Sequence, residues 1–400
     1  MNIPFCLPEE ITPEIFLQNY WQKKPLVIRN GLPQIVGLFT PKDILDLALE
    51  EDVVARLVQC HHIDDEKQWQ VKISPFCEQD FENLPEFWSV LVQNLEQWSP
   101  ELGELWQAFG FIPQWQRDDI MVSYAPKGGS VGKHYDEYDV FLVQGYGQRR
   151  WQLGKWCDPS TEFNPNQPIR IFDDMGELVI DEVMNPGDIL YVPSRMAHYG
   201  VAETDCLTFS FGLRFPSSVE LLDKVNHHLQ HQQNIDISQL NVPFRLGIDS
   251  QPNGLLDPKT VANFKEQLTY LLQTSDQFDY LFLHSVATAV SSRRYEQLEI
   301  DEAFYPDELQ TALEDGSWLI QDSNVKIVYT ENPLRIYVNG EWIDELNEME
   351  ADLLVRIANG DTISWNKLAS KTQDQNELEL LLDCLCDWLD CGWILLNEAE

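Results

Sequence analysis

Basic residues are scarce in this sequence: 27 Lys and Arg stand against 66 Asp and Glu, a formal net charge of -39 over 400 residues. Proteins that grip a phosphate backbone draw most of their affinity from clustered cations, so this balance argues against direct nucleic-acid binding. It favours a basic partner, drawn in by the negative field, although acidity also serves solubility alone. The eight cysteines (Cys6, Cys60, Cys77, Cys157, Cys206, Cys384, Cys386, Cys391) contain no CxxC pair, so the usual signal for a zinc cluster or a thioredoxin-type site is missing. They read as reduced, partly buried thiols. No apolar run approaches the roughly 20 residues of a membrane span, and the start, MNIPFCLPEEITPE, lacks the basic-then-apolar layout of a secretion signal. A soluble, cytoplasmic protein without membrane contacts is expected. Internal repeats and low-complexity tracts are also absent.

What is present can bury more than one core: 44% of the residues are hydrophobic and 11% aromatic. Three regions are predicted, together an α+β protein. Residues 1–216 open with a helix in EEITPEIFLQNYW and a strand in KKPLVIRN, then turn β-rich from Asp119. IMVSYA, YDVFLVQ, RRWQLG, DILYVP and CLTFSFGLRF are short and separated by Gly, Pro and Asn turns, the pattern of a sandwich or barrel. Residues 217–295 are helical. Ser217 and Glu220 form a capping box before LLDKVNHHL, and Asp257 with Pro258 caps a helix carrying Val261, Phe264, Leu268 and Leu271 at helical spacing. That stripe could cover the β-rich region or pair with another copy of the chain. Residues 296–400 alternate helices with short strands in the order of a winged helix, but their few cations, Lys326, Arg335, Arg356, Lys367 and Lys371, make a DNA-binding role improbable.

The chemistry concentrates in KHYDEYDVFLVQGYGQRRW, residues 133–151. As a strand, it places His134, Asp136, Tyr138, Val140 and Leu142 on one face. An HxD alone arises often by chance, and a single His after a strand is commonly just a satisfied polar residue. Here the Gly-rich turn GGSVGKHYD enters the segment, and NPGDILYVPSRMAHYG brings His198 after a turn, a strand and a second turn. That frame matches a double-stranded β-helix, the cupin type of jelly roll. Two histidines and a carboxylate make a facial triad that leaves the opposite positions of an octahedral metal open, which suits iron(II). The other histidines compare poorly. His227 and His231 are four apart on a helix with no third ligand nearby, His61 and His62 fall on opposite faces of a strand, and His284 sits in an apolar helical stretch.

Such an iron site needs an electron source, and 2-oxoglutarate, used together with molecular oxygen, is the commonest. Its distal carboxylate needs a cation, for which Arg149, Arg150 and Lys155 lie just after the ligand segment; strand parity separates Arg149 from Arg150 without deciding which faces inward. Ser123 and Thr208, on neighbouring strands, could add hydrogen bonds.

NYWQKKPLVIR, DDIMVSYAPKGGSVGKHYDEYDVFLVQGYGQRRW and NPGDILYVPSRMAHYGVA resemble the JmjC-type ribosomal oxygenases, specifically the bacterial arginine hydroxylases that act on the large-subunit ribosomal protein L-sixteen. The resemblance implies a JmjC jelly roll followed by a helical dimerisation domain and a winged-helix-like domain, hence a homodimer. It makes His134, Asp136 and His198 the catalytic iron ligands and Arg149 the anchor of 2-oxoglutarate. It also implies Asp119, Met121, Tyr138 and Ser210 as the pocket for an arginine of a basic ribosomal protein. Thr208 stands where the family can show Asn. The alternatives are a related oxygenase acting on histidine or a modified tRNA base, and a cupin that only binds.

Overall fold

The computed structural model describes residues 3–63, 66–231, 238, 240, 241, 243, 244, 256–295, 297, 303–370 and 375–397. Glu296, where the third region is set to begin, lies outside the described residues. Short helices Pro13–Asn19 (α1), Pro41–Leu47 (α2) and Pro100–Glu104 (α3) interrupt the first region. Each begins at a Pro behind a hydroxyl cap, Thr12, Thr40 or Ser99, because a first-turn Pro gives up only a donor that had no helical partner. The strands are Leu26–Ile28 (β1), Ala55–Ile63 (β2), Glu66–Ile73 (β3), Phe87–Val92 (β4), Arg117–Ala125 (β5) and Asp139–Tyr146 (β6). Arg149–Trp156 (β7), Ile180–Met184 (β8), Ile189–Val192 (β9), Met196–Ala202 (β10) and Cys206–Leu213 (β11) follow.

These strands make two antiparallel sheets, one ordered β1-β9-β6-β11-β5-β4-β2-β3 and a smaller one ordered β10-β7-β8. Side-chain alternation gives the large sheet two different faces. Ile120, Val122, Tyr124, Phe141, Val143, Ile189, Tyr191, Phe209 and Phe211 face Phe16, Trp106 and Phe109 of the helical segments in the main core. Val140, Leu142, Leu190 and Val192 point the other way and pack on Trp151, Leu153, Met184 and Met196 of the small sheet. The space between the sheets is therefore closed by apolar side chains over part of its depth.

Downstream come helices Ser218–His231 (α4), Pro258–Thr274 (α5) and Asp276–Ser291 (α6), starting where the Ser217 and Asp257 caps place them. Then follow Pro306–Glu314 (α7), Trp318–Gln321 (β12), Ile327–Glu331 (β13), Leu334–Val338 (β14) and Glu341–Ile343 (β15). Glu348–Ala358 (α8), Ile363–Ser364 (β16), Trp365–Ala369 (α9), Gln375–Asp390 (α10) and Ile394–Asn397 (β17) complete the described chain. Compactness does not follow chain order. One unit comprises residues 1–215, 294–325 and 360–400, and the other comprises residues 216–293 and 326–359. The sheet β13-β14-β15 with α8 thus belongs with helices α4 to α6, while β16-β12-β17 belongs with the barrel. Among the described residues no helix is long and apolar enough to cross a membrane.

Candidate active site

The ligand segment departs from the continuous strand expected of it. β6 begins only at Asp139; residues 133–138 run irregularly apart from one isolated bridge, His134 to His198. The departure has a physical cause. The chain leaves the edge of the small sheet at His134 and has to cross to the large one, and on the way Asp136 O accepts from Arg195 N at 2.7 Å. Arg195 holds a positive φ of 64° in the turn before β10, and its side chain adds an ion pair to Glu137 at 2.6 Å. His198 follows that turn as expected and is the third residue of β10.

The bridge does what alternation along one strand was expected to do. His134 N donates to His198 O at 3.1 Å and His198 N donates to His134 O at 2.8 Å. Residues exchanging both bonds sit directly opposite, with side chains on the same face. The imidazole centroids are 4.2 Å apart, and Asp136 Oδ2 lies 3.5 Å from His198 Nε2. One ligand atom from each of His134, Asp136 and His198 falls within 4.8 Å of the others, and no other such group occurs among the described residues.

Tautomers are fixed as well. His134 Nδ1 is 3.1 Å from Gly132 O and His198 Nδ1 is 2.9 Å from Met196 O; a carbonyl only accepts, so both Nδ1 atoms carry protons. Each Nε2 lone pair is left for a metal, the arrangement in which a second hydrogen bond orients a ligand. Burial, reinforced by His134, pushes His198 down to about 4, so it is neutral and able to coordinate at physiological pH. The donor set, two neutral imidazoles and one carboxylate on one side, fits a divalent first-row ion with open positions.

β7 settles the parity of the arginines. Arg149 is 4% exposed and faces inward, whereas Arg150 points out to Asp181 at 2.6 Å. Arg149 Nη1 donates to Ser123 Oγ at 2.8 Å, while its Nε and Nη2 are buried with no partner. A buried guanidinium edge left unsatisfied is costly, and its fork matches a carboxylate. Thr208, paired in register with Ser123, donates instead to Gln144 Oε1 at 2.9 Å. Trp151 lies between the two functions: Arg149 Cζ is 5.7 Å from its ring and His198 is 6.0 Å away, centroid to centroid. Gly200 makes room for that indole, since a Cβ there would meet it at 2.7 Å. Sequence reasoning passed over Gln144, Trp151 and Arg195, although Trp151 shares the parity of Arg149.

The inner face of β5 presents Asp119, Met121 and Ser123, and register sets Ser210 opposite Met121. Asp119 is 7% exposed and accepts from Asn94 N at 3.2 Å. Burial and then Asp118 raise its carboxyl to about 6. Tyr138 is half-buried just before β6. Asp136, then burial, then Asp119 and Asp118 hold its hydroxyl well above the ordinary range.

Fold and triad together define a JmjC-type jelly roll, and comparison with known proteins agrees. The JmjC domain model matches residues 104–221, and the ROXA-like winged helix model matches residues 271–394. A probable ribosomal oxygenase of Haemophilus influenzae is 63% identical over 99% of both chains. The ribosomal protein uL16 3-hydroxylase of Escherichia coli is 32% identical, over 85% of this chain and 87% of that one. The crystal structure of the E. coli ribosomal oxygenase YcfD superposes with a TM-score of 0.76 at 28% identity, covering 99% of this chain and all of that one. YcfD in complex with cobalt and 2-oxoglutarate gives 0.72 at 28% identity, over 95% and 97%. The chain belongs to the JmjC-type ribosomal oxygenases.

Proposed function

We propose that this protein is an iron(II) and 2-oxoglutarate dependent oxygenase that hydroxylates an arginine side chain of a large-subunit ribosomal protein. The observation that carries the proposal is Arg149: a buried guanidinium with two unpartnered nitrogens, on the same barrel interior as two imidazoles and a carboxylate. His134, Asp136 and His198 would hold the iron, and Arg149 with Ser123 would hold the distal carboxylate of 2-oxoglutarate. By strand register Ala202 is the Cα partner of Arg149 and lies four residues beyond His198, about 13 Å of strand. A short dicarboxylate reaching toward the arginine side chain fits such a span. When bound, this pair of cofactors and oxygen supply oxidation of an unactivated C–H bond, with 2-oxoglutarate converted to succinate and carbon dioxide.

The remaining residues orient the substrate. A guanidinium moved out of water needs a carboxylate, which Asp119 supplies, and flat or polarizable surfaces, which Tyr138 and Met121 supply; Ser210 adds a hydroxyl. An imidazole target would not need a buried carboxylate, so Asp119 favours arginine over histidine. The net charge of -39 suits a basic ribosomal protein. The relatives' names support the same class: one is a uL16 3-hydroxylase. We assign residues 1–216 to catalysis, 217–295 to dimerisation and 296–400 to the winged-helix-like domain. Dimerisation is supported by α5, where Val261, Phe264 and Leu268 are exposed along one stripe. Light scattering should give a dimer, and Leu268→Asp should shift it toward monomer.

Intact-protein mass spectrometry of ribosomal proteins from cells with and without this chain tests the proposal. One large-subunit protein should lose the mass of one oxygen in the deletion, and fragmentation should place that oxygen on arginine. An unchanged set of masses, or the oxygen on another residue type, rules the proposal out.

A further inference from the structure

Asp119 has a neighbour of the same charge, Asp118, and both meet a segment far away in sequence. Arg294 and Tyr295 follow α6 yet pack within the barrel's own compact unit. Arg294 Nη1 lies 3.1 Å from Asp118 Oδ2, a carboxylate whose side chain is only 8% exposed. Tyr295 places its hydroxyl 2.8 Å from Gln93 Oε1, while Gln93 Nε2 is buried without a partner. Turning that amide by 180° lets Nε2 donate to the phenol oxygen and leaves the amide oxygen in the orphaned place instead. In that orientation the phenol proton is free to turn to Asp119, the neighbouring carboxylate with which Tyr295 interacts.

We propose that Arg294 and Tyr295 are positioning residues for arginine specificity: Arg294 neutralises Asp118 so that Asp119 alone answers the substrate guanidinium, and Tyr295 aims the Asp119 carboxylate into the barrel. The inference rests on the arginine pocket proposed above. The groups facing Asp119 are Asp118 from β5, Tyr138 from the segment before β6, Arg294 and Tyr295 from after α6, and the backbone N–H of Asn94. Burial and Asp118 favour the protonated carboxyl, whereas Asn94, Arg294 and Tyr295 favour the carboxylate. Without Arg294 the Asp118 charge stands uncompensated, and Asp119 would still hold its proton near neutral pH. A neutral carboxyl cannot offset a buried guanidinium.

The test uses the full-length protein loaded with iron and 2-oxoglutarate and kept free of oxygen, so that a fluorescent arginine peptide of the hydroxylated ribosomal protein binds without turning over. Peptide affinity is followed against pH for wild type, Arg294→Gln, Arg294→Lys, Tyr295→Phe and Asp119→Asn. Wild-type binding should strengthen as pH rises through the titration of Asp119. Arg294→Gln should move that rise upward by roughly one pH unit, which weakens binding about 2-fold at neutral pH and roughly 10-fold below the wild-type titration. Arg294→Lys should restore most of the loss, and Tyr295→Phe should shift the curve in the same direction by less. Iron and 2-oxoglutarate affinities should not change in any of the four. A curve that stays in place in Arg294→Gln overturns the inference, and so does a parallel loss of 2-oxoglutarate affinity, which would mark a merely structural role. Asp119→Asn separates the two layers. If it binds peptide as wild type does, the arginine pocket falls and this inference with it; if it binds weakly at every pH while Arg294→Gln is normal, only the inference falls.

Discussion

Two histidine pairs, one in each compact unit, lie at nearly the same separation and differ in what surrounds them. The rings of His134 and His198 are 4.2 Å apart, and those of His228 and His284 are 4.5 Å apart. Burial is the main reason that His198, His228 and His284 are each pushed down to about 4. Closeness and neutrality are therefore common to both places. In the barrel the Nδ1 atoms donate to backbone carbonyls and a carboxylate stands 3.5 Å from His198 Nε2. In the helical unit His228 Nδ1 meets Ser285 Oγ at 2.9 Å, His284 Nδ1 meets Tyr337 O–H at 2.9 Å, and the charges that act on the pair are cations, Lys224 on His228 and Arg335 on His284. A metal is attracted by the first environment and repelled by the second. The third ligand, more than the paired imidazoles, separates a coordination site from a packed core.

The largest effect that would break this contrast is loss of the third ligand. Asp136→Ala should abolish iron binding and lower turnover by more than about 100-fold, since even outer partners of metal ligands are worth 10- to 100-fold. His228→Ala should leave iron affinity unchanged. Calorimetric titration with iron under nitrogen measures both, and retention of full affinity in Asp136→Ala would dissolve the distinction.

How much of this was legible in the sequence depended on distance along the chain. Ser217 and Asp257 announced their helices because capping is completed within three residues, and Glu220 N to Ser217 Oγ at 3.1 Å is such a contact. The strands around the triad were legible from period-two patterning, and the Gly-rich turn framed the ligands. Alternation misjudged residues 133–138, where a crossing between sheets overrides local pattern, although the triad still converges through the His134 bridge. The Arg149 parity was undecidable locally and is settled by which side of β7 meets Ser123. Arg294 and Tyr295 were not legible at all: their partners are Asp118 and Gln93, separated from them by 176 and 202 positions, and no local signal encodes such pairings.

Acid sharpens the comparison from the other side. His228 and His284 have their folded values at about 4, below the ordinary 6.5. The unfolded chain then binds more protons between those limits, so their contribution is fully present above about pH 6.5 and is lost as pH falls toward 4. Each lowered value corresponds to up to about 3 kcal/mol. Calorimetry from neutral to acidic pH should show the helical unit losing stability over this window. His228→Gln, which keeps a donor for Ser285 but cannot be protonated, should flatten the dependence. A melting temperature as sensitive to acid in His228→Gln as in wild type would mean that the pair does not control it.

The smallest expected effect contrasts adjacent residues of one strand. Arg149 is buried with two free nitrogens, whereas Arg150 is paired to Asp181 at the surface, where such pairs contribute about 0 to 1 kcal/mol. Arg149→Ala should raise the KM for 2-oxoglutarate roughly 10-fold or more, because a charge-assisted contact is worth about 1.5 to 3 kcal/mol. Iron affinity should hold. Arg150→Ala should change neither. Arg149→Lys discriminates charge from shape: an ammonium keeps the charge but cannot present two parallel donors while a third group holds Ser123, so its KM should fall between wild type and the alanine variant. Equal KM values for Arg149→Lys and wild type would show that charge alone holds the co-substrate. A defect in Arg150→Ala instead would mean that the inward face of β7 has been assigned to the wrong arginine.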